Sequence, residues 1–141
     1  MTVESLQILS NCHPQELVSY KRTHYKHPCC VWARKSIENY NWLYSHNLAL
    51  CKEYTRRYNK IHKCESILLL LPKPDLQSSE LTSFAQAMPE QYRNLDAVSA
   101  YRNYYIQEKS YMCKWMSKDD IPEFFRKSVL INSKTLNIFI R

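Results

Sequence analysis

Two kinds of chemistry are offered by the stretch from Thr23 to Lys63. The first is metal ligation: His24 and His27 are separated by two residues, Cys29 and Cys30 follow, and His62 and Cys64 come later, residue types that could supply four ligands to zinc. The pattern lacks a Cys-x-x-Cys pair, and adjacent Cys29 and Cys30 diverge on a helix, so no metal is expected. The thiols are read instead as small reduced hydrophobes and the histidines as polar or hydrogen-bonded groups. The second chemistry is electrostatic. Residues 20–63 hold ten Lys and Arg against two acids, a net of +8, and the rest of the chain holds ten against eleven, a net of −1. A localised basic segment in an otherwise balanced chain is the footprint of a polyanion partner or the solvated face of two helices.

Several activities drop out on composition. The 141 residues contain no glycine, which excludes Gly-dependent phosphate loops, dinucleotide fingerprints and nucleophile elbows. No local signature of a Ser or Cys hydrolase is present. The longest apolar run, Ile67 to Leu71, stops at Pro72 and is too short to span a bilayer. The absence of a signal peptide and the irregular spacing of six cysteines indicate reduced thiols in a cytoplasmic setting.

The elements that must position these groups are helical, and the expected class is all-α: a compact single-domain bundle over 1–126, with an irregular loop over 72–93 and a tail over 127–141 that is extended or disordered. "VESLQILSNCHP" reads as a short helix broken at Pro14. A second helix is expected from about 29 to 46, opened by Pro28 and closed by Asn47 in the left-handed conformation that glycine would otherwise supply. "LALCKEYTRRY" follows, closed in the same way by Asn59, and "KCESILLLL" is ended by Pro72. The 72–93 stretch is punctuated by Pro and Ser and allows one helical turn after Pro89. Asp96 caps a further helix that would set Val98, Tyr101, Tyr105, Tyr111 or Met112, and Trp115 near one face. "IPEFFRKS" gives a short amphipathic turn.

On these helices Glu53 and Arg57 are four apart and can pair. Arg34, Lys35, Lys52, Arg56, Arg57, Lys60 and His62 are the candidate phosphate contacts. The interleaved aromatics, Trp32 and Trp42 among them, stack on bases or, at this helical spacing, pack the core. Glu4, isolated in a short apolar helix, is either a surface carboxylate or a group with a catalytic task.

Four stretches, "HPCCVWARKSIENYNWL", "LALCKEYTRRYNKIHK", "LTSFAQAMPEQYR" and "DAVSAYRNYYIQEKSYMCKW", resemble a phage-encoded helical family, over roughly residues 2–125. The sequence departs from that family in having Asn47 and Asn59 where glycine is usual, and in starting inside the family's first helix. Members carry further residues there, with an Asp-Lys-His stretch, so the chain is expected to be N-terminally short. The order of elements is also distantly similar to the small all-helical phage pyrimidine-dimer DNA glycosylase, endonuclease V, through the Glu4 helix and "MPEQYR".

That resemblance implies a DNA partner and attack of an N-terminal amine on the sugar C1′ to form a Schiff base, with no cofactor. It places the catalytic glutamate at Glu4, and removal of Met1 would put the amine on Thr2. With a shortened start the chain would instead bind without cleaving. His27, Asn39, Glu53 and Arg102, family positions, serve function or form a buried polar network. The expectation is therefore a nucleic-acid-binding phage-type protein of the infected cell's cytoplasm, related to DNA-repair glycosylase/lyases. The alternative is a non-catalytic phage protein that binds a host protein through the 72–93 loop.

Overall fold

A computed structural model describes residues 1–128; the expected tail lies, from residue 129 onward, outside them. The described residues form six α-helices and three short 3-10 turns, with no strand among them, so the chain is all-α. They gather into two compact units, one of residues 1–85 and one that begins at Gln86.

In the first unit α1 (Thr2–Ser10), α2 (Pro28–Arg34), α3 (Ile37–Tyr58) and α4 (Lys63–Leu69) share one core. Its centre is Leu6 and Leu9 of α1, Ala33 of α2 and Leu68 of α4, each fully shielded from solvent, with Trp32, Tyr40 and Leu43 around them. Burial of such leucines stabilises the unit by about 2 kcal/mol each. The core is what fixes α1, which is too short to persist alone.

Two helices start by the same local device. His27 Nδ1 accepts the Cys29 N–H at 3.2 Å, and His62 Nδ1 accepts the Cys64 N–H at 3.1 Å. In each His-x-Cys the imidazole takes the place of the usual Ser or Asp cap and satisfies one of the free donors of the first turn. Pro28 opens α2 as expected.

The expected helix over 29–46 is in fact two. α2 stops at Arg34, and Ser36, with an extended backbone, accepts the Asn39 N–H at 3.1 Å to start α3. α3 then runs for 22 residues to Tyr58, about 33 Å at 1.5 Å per residue. Asn47 does not end a helix; it lies inside α3, fully buried, with neither amide atom hydrogen-bonded. An asparagine can cap a helix or sit within one, and here the apolar positions on either side carry the helix through. Asn59 does what was expected of it, at φ 49 and ψ 39, with its N–H donated to Thr55 O at 2.8 Å.

The segment after Pro72 is a strap held down by side chains. Ser78 Oγ and the Ser79 N–H donate to the Glu38 carboxylate at 2.6 and 2.8 Å. Asn39 Nδ2 donates to Trp32 O at 2.8 Å and to Thr82 Oγ1 at 2.9 Å, and Asn39 Oδ1 accepts the Thr82 N–H at 3.0 Å. Phe84 lies against Trp32 and Trp42, at ring separations of 5.4 and 4.4 Å. Trp32 is a core residue, whereas Trp42 is 38% exposed and also stacks on His46, at a ring separation of 5.1 Å.

In the second unit Asp96 accepts the Val98 and Ser99 N–H groups to cap α5 (Ala97–Glu108), as its sequence indicates. The buried positions are the small Ala97 and Ala100, and Val98, Tyr111 and Met112 are exposed. The expected aromatic face is therefore corrected: α5 ends at Glu108, and the chain turns through Ser110–Met112. Ile121 and Phe125, before and within α6 (Glu123–Ser128), are almost wholly buried.

Asn39→Ala removes a buried amide that joins α2, α3 and the strap. Leaving the Thr82 N–H and the Trp32 carbonyl without their partner should cost about 3 kcal/mol in urea denaturation, while Glu38→Gln, in the first turn of α3 where it accepts from the exposed Ser78 and Ser79, should cost under about 1 kcal/mol.

Candidate functional site

Polar side chains fix the position of α1 at both ends. At its start, Thr2 Oγ1 and His62 Nε2 are 3.1 Å apart. Because His62 Nδ1 already accepts from Cys64, the neutral ring carries its proton on Nε2 and donates it to Thr2. At the other end, the fully buried Asn11 uses both amide protons, donating to Gln7 O at 2.8 Å and to Thr23 O at 3.0 Å. The second bond pins the 18–27 loop beside the helix.

The groove between them is a cleft of about 340 Å³, lined by Glu4, Gln7, Ile8 and Asn11 of α1 and by Thr23, His24, His27 and Cys30. The sequence points to Glu4 as a catalytic carboxylate, to His27 as part of a polar network and to His24 only as a candidate metal ligand; it does not place them together, and it does not point to Asn11. Asn11 Oδ1 is buried in the structure with no partner. His24 has φ 53, a left-handed backbone that costs a non-glycine residue roughly 1–2 kcal/mol. Such strain clusters at functional sites.

Glu4 is exposed, and its carboxylate pairs with the Met1 α-amino group. A hydrogen bond from that amine holds it below the usual carboxylate range, so Glu4 is ionised at neutral pH and can accept a proton or stabilise a cation. Thr2, the residue expected to bear the amine, is one position further along α1 with its hydroxyl engaged by His62. Cys30 is held in its protonated form by burial, which raises its pKa, and burial beside it pushes the Cys12 thiol up to about 12. Among the described residues no three His, Cys, Asp or Glu side chains are placed to hold a metal ion.

The candidate phosphate contacts differ in availability. Arg56 donates to Glu53 through Nε and Nη2 at 2.7 and 2.9 Å, and Arg57 donates through Nε at 2.6 Å. The expected pairing is present, and one carboxylate draws on two guanidinium groups. Arg34 is half-buried and works as a clasp: Nη2 donates to Tyr25 O at 2.8 Å, and its guanidinium lies 3.5 Å from the centre of the Tyr25 ring. Arg22 lies 4.7 Å from the same ring, within cation–π reach. Lys21, Arg22 and Lys26 are exposed beside the cleft, and Lys35, Lys52 and Lys60 are exposed elsewhere in the unit. His62 is committed to its cap and to Thr2. The other residues proposed for a polar network have partners of their own: His27 caps α2, Asn39 holds the strap, Glu53 holds two arginines, and Arg102 lies 5.0 Å from the Phe124 ring in the second unit.

Residues 1–66 match the family model for pyrimidine dimer DNA glycosylase. The match takes in α1, the whole cleft, the basic segment and the start of α4, and over these residues the chain is distantly similar to that family. No curated protein and no solved structure matches the chain. Among the described residues no helix is long and apolar enough to cross a membrane.

Glu53 titrates in the folded state at about 2, chiefly through the hydrogen bonds from Arg56 and then Arg57. A depressed carboxylate adds stability that is present at neutral pH and is lost as the pH falls from the ordinary value of 4.5 through about 2. Carbon-detected NMR should find the Glu53 carboxyl midpoint near 2 and, in the Arg56→Ala, Arg57→Ala double variant, a midpoint back in the ordinary range.

Proposed function

We propose that this chain acts on DNA as a glycosylase/lyase relative, with the Glu4 cleft as reaction centre and the Lys21–Lys26 loop holding the phosphate backbone beside it. The observation that carries this reading is the coincidence of the matched residues 1–66 with the cleft and the basic segment.

The chemistry asked of the cleft is attack by an amine on the sugar C1′, giving a Schiff base that leads to strand cleavage. A neutral amine is required, and an α-amino group gives up its proton far more readily than a lysine. In this chain the α-amine is next to Glu4, and removal of Met1 would move it to Thr2, beside His62. The Glu4 carboxylate accepts the proton that the amine sheds and stabilises positive charge developing at C1′. A target within a duplex must first be turned out of the stack. The exposed cations at Lys21, Arg22 and Lys26 bind without base contacts, so affinity is set by phosphate neutralisation and falls with salt.

Borohydride reduction in the presence of an abasic-site duplex should trap a covalent adduct, and Glu4→Gln should lower its yield by about 100-fold. Binding to the same duplex should weaken linearly as log salt rises, with Arg22→Gln and Lys26→Gln each reducing the slope by about 1. No adduct across the neutral pH range rules out the amine mechanism, and no binding at low salt rules out the DNA reading altogether.

A further inference from the structure

We infer that His24 is a catalytic proton donor of the cleft, working across it from Glu4. The inference rests on the glycosylase reading and names a group which that reading leaves unassigned.

Breaking a glycosylic bond makes two opposite demands on protons. The attacking nucleophile must lose one, and the departing base, which keeps the electron pair of the broken bond, must gain one. Glu4 can meet only the first demand, because its carboxylate is exposed, paired with an amine and ionised. The donor must be a second titratable group in the same cleft. The groups facing His24 are Glu4 on α1, Cys30 on α2 and His27 on its own loop, with Arg22 and Lys26 flanking it in the chain.

Two of these are unsuited to the task. The Cys30 thiol is buried and holds its proton more tightly than an ordinary thiol. His27 Nδ1 accepts the Cys29 N–H, so protonating that nitrogen would break the cap of α2. His27 Nδ1 is therefore committed to the start of α2. His24 has no such commitment: among the described residues nothing hydrogen-bonds its ring, and the ring is exposed to solvent for reprotonation.

The backbone supports the assignment. His24 is held at φ 53, with its carbonyl accepting the His27 N–H at 2.8 Å, and the loop is pinned to α1 through the bond from Asn11 to Thr23 O. The left-handed turn is thus kept at the cleft edge without the glycine that would adopt it freely. A second, independent feature marks this cleft as a place that receives a ligand. Asn11 is 1% exposed, lines it, and has an Oδ1 with no partner.

The step balances as follows. The amine nitrogen forms its bond to C1′ as the C1′–N bond to the base breaks. The base leaves with that electron pair and takes the proton of the His24 imidazolium, and the proton shed by the amine passes to the Glu4 carboxylate. Imidazolium and carboxylate end as neutral imidazole and carboxylic acid, and no oxidant or metal is involved.

The test is scission of the glycosylic bond under single-turnover conditions in a duplex carrying one pyrimidine dimer, read as the base set free once the dimer is photoreversed, with the full chain and with His24→Gly. Glycine accepts the left-handed backbone, so the variant should melt at or above the wild-type temperature. Base release should fall by about 100-fold, and DNA binding should stay within about threefold, since the phosphate contacts are untouched. Added imidazole should restore the rate at least in part. An active wild type with an unchanged His24→Gly rate overturns this assignment alone, as does a lost rate that imidazole leaves unrestored. A wild type that releases no base overturns the glycosylase reading and this assignment with it.

Discussion

Asn11 spends both of its amide protons on carbonyl oxygens, one in its own helix and one across the groove at Thr23. The Gln7 carbonyl also accepts the Asn11 backbone N–H at 3.2 Å, so the bond that sets the loop is the one to Thr23 O, worth about 1 kcal/mol. The 18–27 loop thus has a fixed seat against α1. That seat is what brings His24 and His27 opposite Glu4, and it lets a short helix of nine residues serve as one wall of a cleft. The other wall depends on His27, whose imidazole caps α2 and so sets where Cys30 and Arg34 can lie. Arg34 then clasps Tyr25 from below the loop.

Charge is distributed around this cleft according to what each cation is already doing. Arg56 and Arg57 share Glu53, an arrangement with favourable geometry on the α3 surface whose energy is reduced by solvent. Arg34 is a structural clasp. The cations left to a phosphate backbone are mostly lysines, together with Arg22, and those nearest the cleft lie on the loop that Asn11 holds. A charge count over 20–63 therefore overstates what a polyanion meets. The net +8 is real, but its strongest donors are partly committed within the fold.

Local punctuation in the sequence was read with success because its physics is local. Pro28 can only start a helix, Pro72 must end one, and Asp96 before an apolar run accepts the donors of a first turn. Asn59 ended its helix for the same kind of reason. Asn47 did not, because asparagine is tolerated in both settings and the choice was made by the packing of α3 against its neighbours. The break at Ser36 went unread although the residue is a good cap, since the apolar spacing on either side looks continuous. The site was legible in part. Glu4 and the basic loop could be named from residue type and resemblance. Their meeting with His24 and Asn11 could not, because the groove exists only once the segment after Pro14 has folded back along α1, a path set by a few side-chain bonds, from Asn11 to Thr23 O and from Arg34 to Tyr25 O among them, rather than by any periodicity.

The central claim is that DNA is met at the cleft between α1 and the 18–27 loop. Amide NMR of the isotope-labelled chain, titrated at low salt with a short duplex containing one abasic site, tests it most directly. The account predicts that the largest shifts fall on residues 4–11 and 21–27, with the side-chain amide of Asn11 among them. Shifts confined to 52–60 or to the strap over 77–84, or no shifts at all, would contradict it.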